Sequence, residues 1–498
     1  MNAPDPIKVY DARWEEQEFD DDQVRRLFEA AVAYGRELNA DTVVLARDGR
    51  LAAGRVAELA AETAVRMGMR TYLCADPVGT PHGYFLFHHV SLQHPATMGL
   101  MITASHNPRQ YIGVKFVVPG VQAVGLNCGP MGGLARVREH YHAAGRRAAV
   151  PGGRLRLINR TREFIEFSIG QSGLVPGELS GLKVVIDGMH GSAGAEMALA
   201  LQQAGAEIEA LRIVPDGRFP TGSPNPTSRG KMDAAVRRAA ETGCRAVVGL
   251  DGDGDRLVLG DGRGILSAGF AAVAVLEACG LGRGAKPLPV LHDPKVSPPA
   301  LACWRELNAV PVLFRNGHSQ IKEYMRRTDA LAAAEESGHY YHRITMAGLT
   351  AWYENPILTA LLFAASIHRD PGLMDRLWAL QHQVLTTGEY NCQFPDDDAR
   401  DRALAEVIRR LVDEGAETAT ATDDGVDLEG TVVRRGVRLD GDEPVLEPGW
   451  YSGYLRIATN EKAVARSYFS AADPAVLEVV QCQVRTTWLS EFGGRVIE

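Results

Sequence analysis

The chain has 498 residues, which is too long for one hydrophobic core, and at roughly 150 residues per domain its length predicts three or four domains. An apolar content of 45% and a charged content of 23% are typical of an ordinary globular protein. The formal net charge of −9 argues against a general nucleic-acid binder, which is usually basic. An anionic small-molecule ligand stays open, because local clusters of Arg and Lys decide such binding.

The cysteines indicate a reducing compartment. There are seven, an odd number, scattered along the chain without a Cys-x-x-Cys pair, so we expect free thiols in a cytoplasmic protein and neither a disulfide framework nor a zinc site. The N-terminal residues have no basic region and no apolar core, so we expect no secretory signal. The longest apolar runs, near residues 270–276 and 357–367, are too short to span a bilayer, which predicts no membrane partner.

Strands alternate with helices through most of the chain. The predicted strands are residues 42–46, 70–75, 99–102, 112–116, 182–186, 208–214, 245–250, 289–292, 311–315 and 330–334. The predicted helices are residues 24–32, 52–67, 84–90, 194–204, 232–240, 271–279, 299–307, 319–327 and 356–367. This alternation predicts mainly parallel sheets that are covered on both faces.

The pattern changes after about residue 380. The predicted elements there are a helix at 402–413, β-rich runs near 430–437 and 451–458, a strand near 465–469 and an amphipathic helix at 474–488. The predicted fold class is therefore α/β: three consecutive α/β domains with mainly parallel mixed sheets, followed by a smaller C-terminal α+β domain. The predicted domain boundaries are 1–150, 151–262, 263–378 and 379–498.

The first candidate site lies where the apolar strand 99–102 ends. The residues that follow are Thr103-Ala104-Ser105-His106-Asn107-Pro108. In open α/β sheets, ligands bind at the carboxyl ends of strands, where this strand would place the Ser105 hydroxyl with His106 beside it. An ST-turn is the structural alternative. A Ser/His hydrolase is a distant alternative, because Gly-x-Ser-x-Gly and a nearby triad order are absent.

The second candidate site follows the strand 245–250. Asp251, Asp253 and Asp255 alternate with glycines, and in an extended backbone such residues face one side. Three carboxylates together repel one another, and a hard divalent cation relieves this, with all-oxygen ligation favouring Mg²⁺. A calcium EF-hand loop is rejected, because Arg256 and Gly262 stand where that loop needs Gly and Glu. An acidic turn without metal is the structural alternative.

The two sites together suggest phosphoryl chemistry. Mg²⁺ on three carboxylates needs further oxygen ligands, and a phosphorylated Ser105 would supply one. Ser105 then acts as a phosphoryl carrier, while the metal stabilises charge on the phosphoryl group. Arg13, Lys115 and Arg256 are candidate cations near this path, with a surface ion pair as the alternative for each. His318 and His339 could bind hydroxyls or shuttle protons, or be structural.

At this point the sequence resembles the α-D-phosphohexomutase family, and within it the phosphomannomutase/phosphoglucomutase branch. The segments that carry the resemblance occur in the family's order over nearly the whole chain: Tyr10-Asp11-Ala12-Arg13, Arg47-Asp48-Gly49-Arg50, Thr80-Pro81, 103–108, 251–256, 316–322 and Glu335-Glu336-Ser337-Gly338-His339. The resemblance implies four domains around a central cleft. In chain order they would carry the phosphoserine loop, the metal site, the sugar-binding residues and the phosphate-binding residues.

The resemblance also implies an activity. It implies a phosphoserine at Ser105, one Mg²⁺ ion on Asp251, Asp253, Asp255 and the serine, and interconversion of hexose 1-phosphate and 6-phosphate through glucose or mannose 1,6-bisphosphate, which also serves as activator. The catalytic residues would be Ser105, Arg13, Lys115 and His339. The substrate-binding residues would be Arg256, His318, Glu335, Ser337, Arg456, Thr459 and Asn460. The expected partner is a phosphorylated hexose, and the expected state is a monomer or weak dimer.

The chain departs from the family pattern in its last domain. The family's Arg-x-Ser-x-Thr loop for the substrate's second phosphate corresponds to residues 456–462, where Arg456 stays but Ala458 replaces the Ser and Asn460 the Thr. An acidic pair expected downstream of His339 is absent near residues 346–349. Two alternatives therefore remain: a phosphoglucosamine mutase, and a catalytically weak sugar-phosphate-binding homologue.

Overall fold

The structure, a computed structural model, describes residues 4–143, 147–281, 286–439, 444–458 and 461–497. The chain forms two compact units. The first comprises Met1–Leu266, Gly317–Ala333 and Ser337–Asp370, and the second comprises Ser267–Asn316, Ala334–Glu336 and Pro371–Glu498. Both units are discontinuous in sequence, so the chain passes between them several times.

The first unit opens with a seven-stranded sheet. Its strands are β1 (Ala12–Glu15), β2 (Thr42–Arg47), β3 (Arg70–Pro77), β4 (Thr97–Ile102), β5 (Tyr111–Val118), β6 (Gln122–Val124) and β7 (Arg154–Leu157), with helices α1 (Asp21–Glu37), α2 (Ala53–Arg66), α3 (Thr80–Ser91) and α4 (Leu134–His142). The order is β1-β5-β4-β2-β3-β7, with β6 on β5. Strands β4, β2, β3 and β7 run parallel, and β1 and β5 are antiparallel to their neighbours.

The central strands β2 and β4 are almost wholly buried, as continuous apolar runs in a parallel sheet should be. Helix α1 shows why the flanking helices form where they do. Asp20 caps its N-terminus in a capping box with Gln23, and its apolar residues Val24, Leu27 and Phe28 recur at helical spacing toward the core.

A second sheet follows in the same unit. Its strands are β8 (Lys183–Asp187), β9 (Glu207–Leu211), β10 (Ala246–Leu250), β11 (Leu257–Asp261) and β12 (Gly264–Ile265), with helices α5 (Thr161–Ser172), α6 (Gly194–Gln203) and α7 (Asp233–Thr242). The order is β12-β11-β10-β8-β9, with β9, β8 and β10 parallel. The antiparallel pair β10–β11 is closed by residues 251–256, because Leu250 pairs with Leu257.

The chain enters the second unit at Ser267 and returns to the first unit at Gly317. It passes through the second unit again at Ala334–Glu336 and enters it for the last time at Pro371. The first stretch holds α8 (Ala268–Ala278), β13 (Leu288–His292), α9 (Pro298–Glu306) and β14 (Ala309–Leu313), and β13 and β14 are parallel. The next elements are α10 (His318–Thr328), β15 (Ala332–Ala334), β16 (Tyr340–Met346), β17 (Leu349–Glu354) and α11 (Pro356–Arg369).

The β16–β17 hairpin was not predicted from the sequence. Its two-residue turn is Ala347-Gly348, with φ values of 46° and 88°, as a turn that matches strand twist requires. Alanine is not a usual residue at a positive φ, so the turn carries little sequence signal. Residues 346–349, where an acidic pair was expected, are this turn.

The rest of the second unit is an antiparallel sheet with helices. The elements are α12 (Leu373–Gln381), β18 (Leu385–Thr386), β19 (Tyr390–Gln393), α13 (Asp397–Asp413), β20 (Glu417–Ala421), β21 (Asp427–Arg438), β22 (Val445–Ile457), β23 (Val464–Ala471), α14 (Pro474–Arg485) and β24 (Arg495–Ile497). The order is β20-β21-β22-β23-β19-β24, with β18 on β23. Helices α13 and α14 cover one face, with Phe469 and Trp488 in the core between them. Within the described ranges, no helix has the length and apolarity needed to cross a membrane.

Tight packing of α3 against β4 yields a test of the fold. A Cβ added to Gly99 would overlap the ring of the buried Phe87, so we expect Gly99→Ala to cost about 1–3 kcal/mol. Adding Phe87→Leu should recover part of this loss, because the two changes act on the same contact. Thermal unfolding is the measurement. Gly54→Ala is the control, since nothing lies within 4 Å of its added Cβ. Equal stability of both alanine variants would contradict the packing.

Candidate active site

Ser105 lies where β4 ends, in a loop that β2 helps to shape. Its φ of 52° is left-handed, a conformation that is strained for a residue with a side chain. Ser105 N donates to Thr103 Oγ1 at 2.9 Å, and Thr103 Oγ1 donates to Asp48 Oδ2 at 2.7 Å. Because β2 and β4 are parallel neighbours, their carboxyl ends bring Asp48 and Ser105 to one sheet edge.

A buried guanidinium holds this serine loop in place. Arg50 pairs with Asp48, with Nε at 3.2 Å from Oδ2, and its Nη atoms donate to four backbone carbonyls. The acceptors are the oxygens of Ser105 at 2.6 Å, Asn107 at 2.7 Å, Pro108 at 2.9 Å and Tyr111 at 3.0 Å. Only the planar fork of an arginine can serve so many acceptors at once. Arg50 therefore fixes the strained loop that carries the serine.

The three aspartates of residues 251–256 meet the serine, as the sequence predicts. Asp251, Asp253 and Asp255 are all buried, and one carboxylate oxygen of each lies within 4.8 Å of the others. Ser105 Oγ donates to Asp251 Oδ2 at 3.1 Å. Oδ1 of Asp253 and Oδ1 of Asp255 are buried, and neither accepts a hydrogen bond from the part of the chain that the structure describes. A buried oxygen without a donor is costly, so these atoms are suited to ligate a cation.

The glycines between the aspartates allow the two loops to approach. A Cβ on Gly252 would lie 2.6 Å from the carbonyl oxygen of Ser105. Gly254 has a φ of 64°, and its added Cβ would overlap Ala193. A larger residue at position 252 would push residues 251–256 away from the serine loop, whereas one at position 254 would clash with Ala193.

Lys115 supplies positive charge to the carboxylates. It lies on β5 opposite Met101 of β4 and is buried, with Nζ 2.8 Å from Asp253 Oδ2 and 2.5 Å from Asp255 Oδ2. Burial opposes the ammonium charge, but the two aspartates outweigh it and raise the pKa of Lys115. Thr80 Oγ1 also donates to Asp253 Oδ2, at 2.5 Å.

The aspartates differ in protonation. Burial and the neighbouring charges of Asp253 and Asp255 raise the pKa of Asp251 well above its usual value. Burial also acts on Asp253, but Lys115 outweighs it and lowers the pKa of Asp253. Asp251 therefore holds a proton more readily than Asp253 does.

Arg13 and His106 flank the serine. Arg13 Nε donates to Asp11 Oδ2 at 2.8 Å, and its Nη1 donates to Asn107 Oδ1 at 2.9 Å. His106 Nδ1 lies 3.1 Å from Ser105 Oγ. Burial, with Arg256 and Arg13 nearby, holds the pKa of His106 well below its usual value, so its ring is neutral.

Arg256 and His339 are joined in two ways. Their backbones form an antiparallel bridge, and Arg256 Nε donates to His339 Nε2 at 3.2 Å. On the other side of the ring, His339 Nδ1 lies 3.5 Å from Glu354 Oε1 and 3.9 Å from Asp255 Oδ1. Glu354 is paired with Lys322, whose Nζ lies 2.7 Å from Oε2. Burial opposes ionisation of Glu354, but Lys322 and His339 lower its pKa to about 2.

His318 begins α10 on the same unit. Burial, with Lys322 and Lys115 nearby, holds the pKa of His318 well below its usual value. Its Nε2 is buried and has no hydrogen-bond partner among the described residues, so this nitrogen is available to a ligand. Thus the first unit brings together Ser105, the three aspartates, Lys115, Arg13, Arg256, His318 and His339.

Other predicted substrate residues belong to the second unit. Glu335 is buried, and its Oε2 accepts from Asn316 Nδ2 at 3.1 Å. Glu336 accepts from the backbone N–H groups of Ala268 and Gly269 at 3.1 Å and 3.0 Å, so it caps α8. Burial and Asp293 raise the pKa of Glu336 to about 7. Ser337, which follows Glu336 in the chain, belongs to the first unit.

Arg456 lies on β22 in a cluster of charges. Its Nη2 is 3.3 Å from Glu389 Oε1, and Arg466 Nη1 is 3.8 Å from the same oxygen. Burial opposes ionisation of Glu389, but Lys295 and the two arginines lower its pKa. The remaining predicted residues of this loop, Thr459 and Asn460, lie outside the described residues.

The structure adds residues that the sequence analysis did not single out. These are Asp48, Thr80, Arg50, Lys322, Glu354 and Glu389. Some signal existed, since Asp48, Arg50, Thr80 and Lys322 fall inside family-like segments without an assigned role. Lys322 is also a charged residue on the buried face of α10, which is an anomaly that periodicity can detect.

Three protein-family descriptions match the chain in order. Phosphoglucomutase/phosphomannomutase alpha/beta/alpha domain I matches residues 7–125, domain II residues 163–264 and domain III residues 269–381. Together they cover well over half of the 498 residues.

Curated relatives and solved structures are similar to this chain over most of its length. The phosphohexose mutases protein of Xanthomonas campestris pv. campestris is 29% identical over 88% of this chain and 93% of its own. A phosphomannomutase of Escherichia coli is 30% identical over 68% and 73%. A phosphoglucomutase/phosphomannomutase family structure from Burkholderia thailandensis has a TM-score of 0.78 at 22% identity, covering 99% and 98%. Aspergillus fumigatus N-acetylphosphoglucosamine mutase, solved with GlcNAc-6P and magnesium, has a TM-score of 0.57 at 11% identity, covering 98% and 96%.

The chain belongs to the phosphoglucomutase/phosphomannomutase family. Membership confirms the predicted fold class, with three consecutive α/β domains and a β-rich C-terminal domain. It also confirms the predicted enzyme class, a phosphohexomutase, which is an isomerase that works as an intramolecular phosphotransferase. The acidic cluster can bind a metal. The site roles and the domain boundaries stay predictions.

The Arg50 clamp yields a test. Arg50→Met would remove a donor from four carbonyls and leave the buried Asp48 without its paired cation, and breaking a buried ion pair costs about 3–5 kcal/mol. Arg50→Lys should rescue little, because an ammonium cannot replace the fork. Hydrogen–deuterium exchange should show lost protection over residues 103–111. The exposed Arg55→Lys is the control. Unchanged protection in Arg50→Met would contradict the clamp.

Proposed function

We propose that this protein interconverts the 1-phosphate and 6-phosphate of glucose or mannose through a phosphoserine at Ser105. The observation that supports this most is the 3.1 Å contact between Ser105 Oγ and Asp251 within a buried cluster of three aspartates and Lys115. Such an arrangement suits a phosphoryl group, which carries several negative charges that need nearby cations.

The proposed reaction balances without water or a redox partner. The bond from Ser105 Oγ to phosphorus breaks as the sugar's free hydroxyl bonds to phosphorus, giving a hexose 1,6-bisphosphate. The proton lost by that hydroxyl is matched by the one that Ser105 Oγ regains. After the bisphosphate turns around, its other phosphoryl group passes to Ser105, and the isomeric monophosphate leaves. Glucose or mannose 1,6-bisphosphate is the proposed activator, because it phosphorylates an unphosphorylated serine.

We propose that Asp251, Asp253 and Asp255, with the serine phosphate, hold one Mg²⁺ ion. The buried, unpartnered oxygens of Asp253 and Asp255 fit this, since hard cations prefer oxygen ligands. When bound, the ion would stabilise negative charge on the phosphoryl group in transit. Lys115 holds the carboxylates in place from the opposite side.

The other roles follow from position. Arg13, through Asn107, and Arg256, through its loop, are placed beside the serine and are proposed to bind phosphoryl oxygens. His318 and His339 are proposed to contact the sugar or its protons. Glu335 and Ser337 are proposed to bind sugar hydroxyls, and Arg456, Thr459 and Asn460 the second phosphate. Lys295, Arg456 and Arg466 around Glu389 support positive charge there.

The hydrolase alternative loses support. Ser105 does contact a histidine, but within the described ranges His106 hydrogen-bonds to no carboxylate that would orient it as a base. We further propose a cytoplasmic location, which the seven free cysteines support. A phosphorylated hexose is the proposed partner, and a monomer or weak dimer the proposed state.

The central experiment joins phosphoserine detection to turnover. Mass spectrometry should find phosphate on the peptide that carries Ser105. With Mg²⁺ and glucose 1,6-bisphosphate, glucose or mannose 1-phosphate should be converted, and Ser105→Ala should fall below about one-thousandth of wild-type turnover. Ser180→Ala, in a surface turn before β8, is the control.

Other outcomes decide between the alternatives. A clear preference for glucosamine 1-phosphate would replace the proposed substrate. Binding of sugar phosphates without any turnover would favour the catalytically weak homologue. Full turnover by Ser105→Ala would exclude the phosphoserine mechanism altogether.

Metal affinity should depend on pH. Because the pKa of Asp251 is raised, the metal-free protein holds a proton there that a cation must displace. Mg²⁺ affinity should therefore rise as pH rises through that pKa, by at most about tenfold per pH unit for one proton. Titration calorimetry in two buffers of different ionisation enthalpy should detect the released proton. A Mg²⁺ affinity that is independent of pH would contradict this prediction. The Asp253→Asn variant should bind Mg²⁺ more weakly at every pH.

A further inference from the structure

A buried ion pair lies behind the candidate site, and the proposed reaction does not use it. Lys322 of α10 is 3% exposed in its side chain, and Glu354, the last residue of β17, is 0% exposed. Their atoms Nζ and Oε2 are 2.7 Å apart. Burying two charges costs solvation that their attraction repays only in part, so apolar residues often serve stability as well. Stability alone is therefore a weak reason for this pair.

Glu354 faces a nitrogen of His339. The Nδ1–Oε1 separation of 3.5 Å is longer than a hydrogen bond, so the attraction between Glu354 and the ring is electrostatic. In the described part of the chain, the only other acidic oxygen near Nδ1 is Asp255 Oδ1 at 3.9 Å. The ring is also stacked on Tyr341, with centroids 5.7 Å apart and planes at 19°. His339 is thus held between an aromatic ring and two carboxylates.

The tautomer of His339 follows from its other nitrogen. Arg256 Nε donates to Nε2 at 3.2 Å, and a guanidinium can only donate. Nε2 must therefore be the unprotonated, accepting nitrogen, which leaves the proton on Nδ1. That proton points to the side where Glu354 lies, so the carboxylate favours the tautomer that Arg256 requires.

Lys322 lowers the free-energy cost of burying the Glu354 carboxylate. Its ammonium neutralises Glu354 and lies 4.1 Å from the centroid of the Tyr84 ring, a favourable cation–π distance. A metal ion between Asp255, His339 and Glu354 is disfavoured for the same reason, since Lys322 already supplies the positive charge. The contacts form a chain from Lys322 through Glu354 and His339 to Arg256.

We infer that Lys322 and Glu354 are positioning residues that fix the orientation and tautomer of His339 and, through it, the guanidinium of Arg256. The inference rests on the proposed function for its kinetic meaning. In the described residues, Nε of Arg256 donates to His339 and the Nη atoms donate no hydrogen bond, so they are available to a phosphoryl oxygen.

The test removes both charges so that none is left unpaired. The Lys322→Met/Glu354→Leu double variant should fold, and its kcat should fall about 10- to 100-fold, as for other residues that orient a histidine. KM for glucose 1-phosphate should change less than about threefold, because transition-state contacts are the ones weakened. Lys322→Met/Glu354→Gln should recover most of the kcat, since the amide oxygen can accept from Nδ1–H.

A control removes a partly buried ion pair in the same unit, in which the Arg66 side chain is 24% exposed. Glu29 and Arg66 are joined between α1 and α2, at no loop of the site. Glu29→Leu/Arg66→Met should leave kcat within about twofold of wild type even if it lowers the melting temperature. A wild-type kcat in the folded Lys322→Met/Glu354→Leu variant would overturn the inference.

A spectroscopic readout needs no sugar and no turnover. In ¹⁵N-histidine protein, two-bond ¹⁵N–¹H correlation should show His339 as the neutral Nδ1–H tautomer, assigned by its loss in His339→Asn. The Lys322→Met/Glu354→Leu variant should gain the Nε2–H form. Observation of His339 as Nε2–H in the wild type would overturn the inference. Absent mutase activity with the expected tautomer would instead count against the proposed function alone.

Discussion

Crowding of negative charge after β10 is the constraint on which the rest of the site depends. Two unit charges about 4 Å apart repel by about 4 kcal/mol at the effective dielectric of a protein, and three carboxylates that are all ionised include three such pairs. Lys115, on β5 of another sheet, offsets this repulsion. Its Nζ lies 2.5–2.8 Å from carboxylate oxygens of Asp253 and Asp255. The β5 sheet and the β10 sheet of the first unit are therefore joined by these ion pairs.

Several features of the first unit keep that arrangement in register. Arg50 holds the serine loop by its carbonyls, and Thr80 ties α3 to Asp253. The absence of a Cβ at Gly252 lets the aspartate loop approach the carbonyl oxygen of Ser105. The strained φ of Ser105 persists because these contacts outweigh its cost. Such rigidity suits the proposed role of Ser105, which would receive and donate a phosphoryl group in one geometry.

The sequence predicted this site where local rules suffice. Apolar runs followed by Ser105 or by Asp251 mark strand ends, and carboxyl ends of parallel strands meet at a sheet edge, so their proximity was predictable. The family resemblance supplied the roles. Glu354 was missed because its position depends on a hairpin whose Ala347-Gly348 turn has a weak signature. The partnership of Glu389 with Arg456 depends on residues far apart in sequence, which periodicity does not report.

The β16–β17 hairpin constrains how this chain can vary over evolutionary time. His339 directly precedes the hairpin and Glu354 ends it, and they meet because Tyr341 pairs with Glu354 across the two strands. The turn at residues 347–348 is exposed, so insertions there need not disturb either end. Within either strand, an insertion of one residue would turn Glu354 to the opposite face, whereas two would restore it. Length variation among descendants of this chain should therefore concentrate at the tip and occur within the strands by pairs.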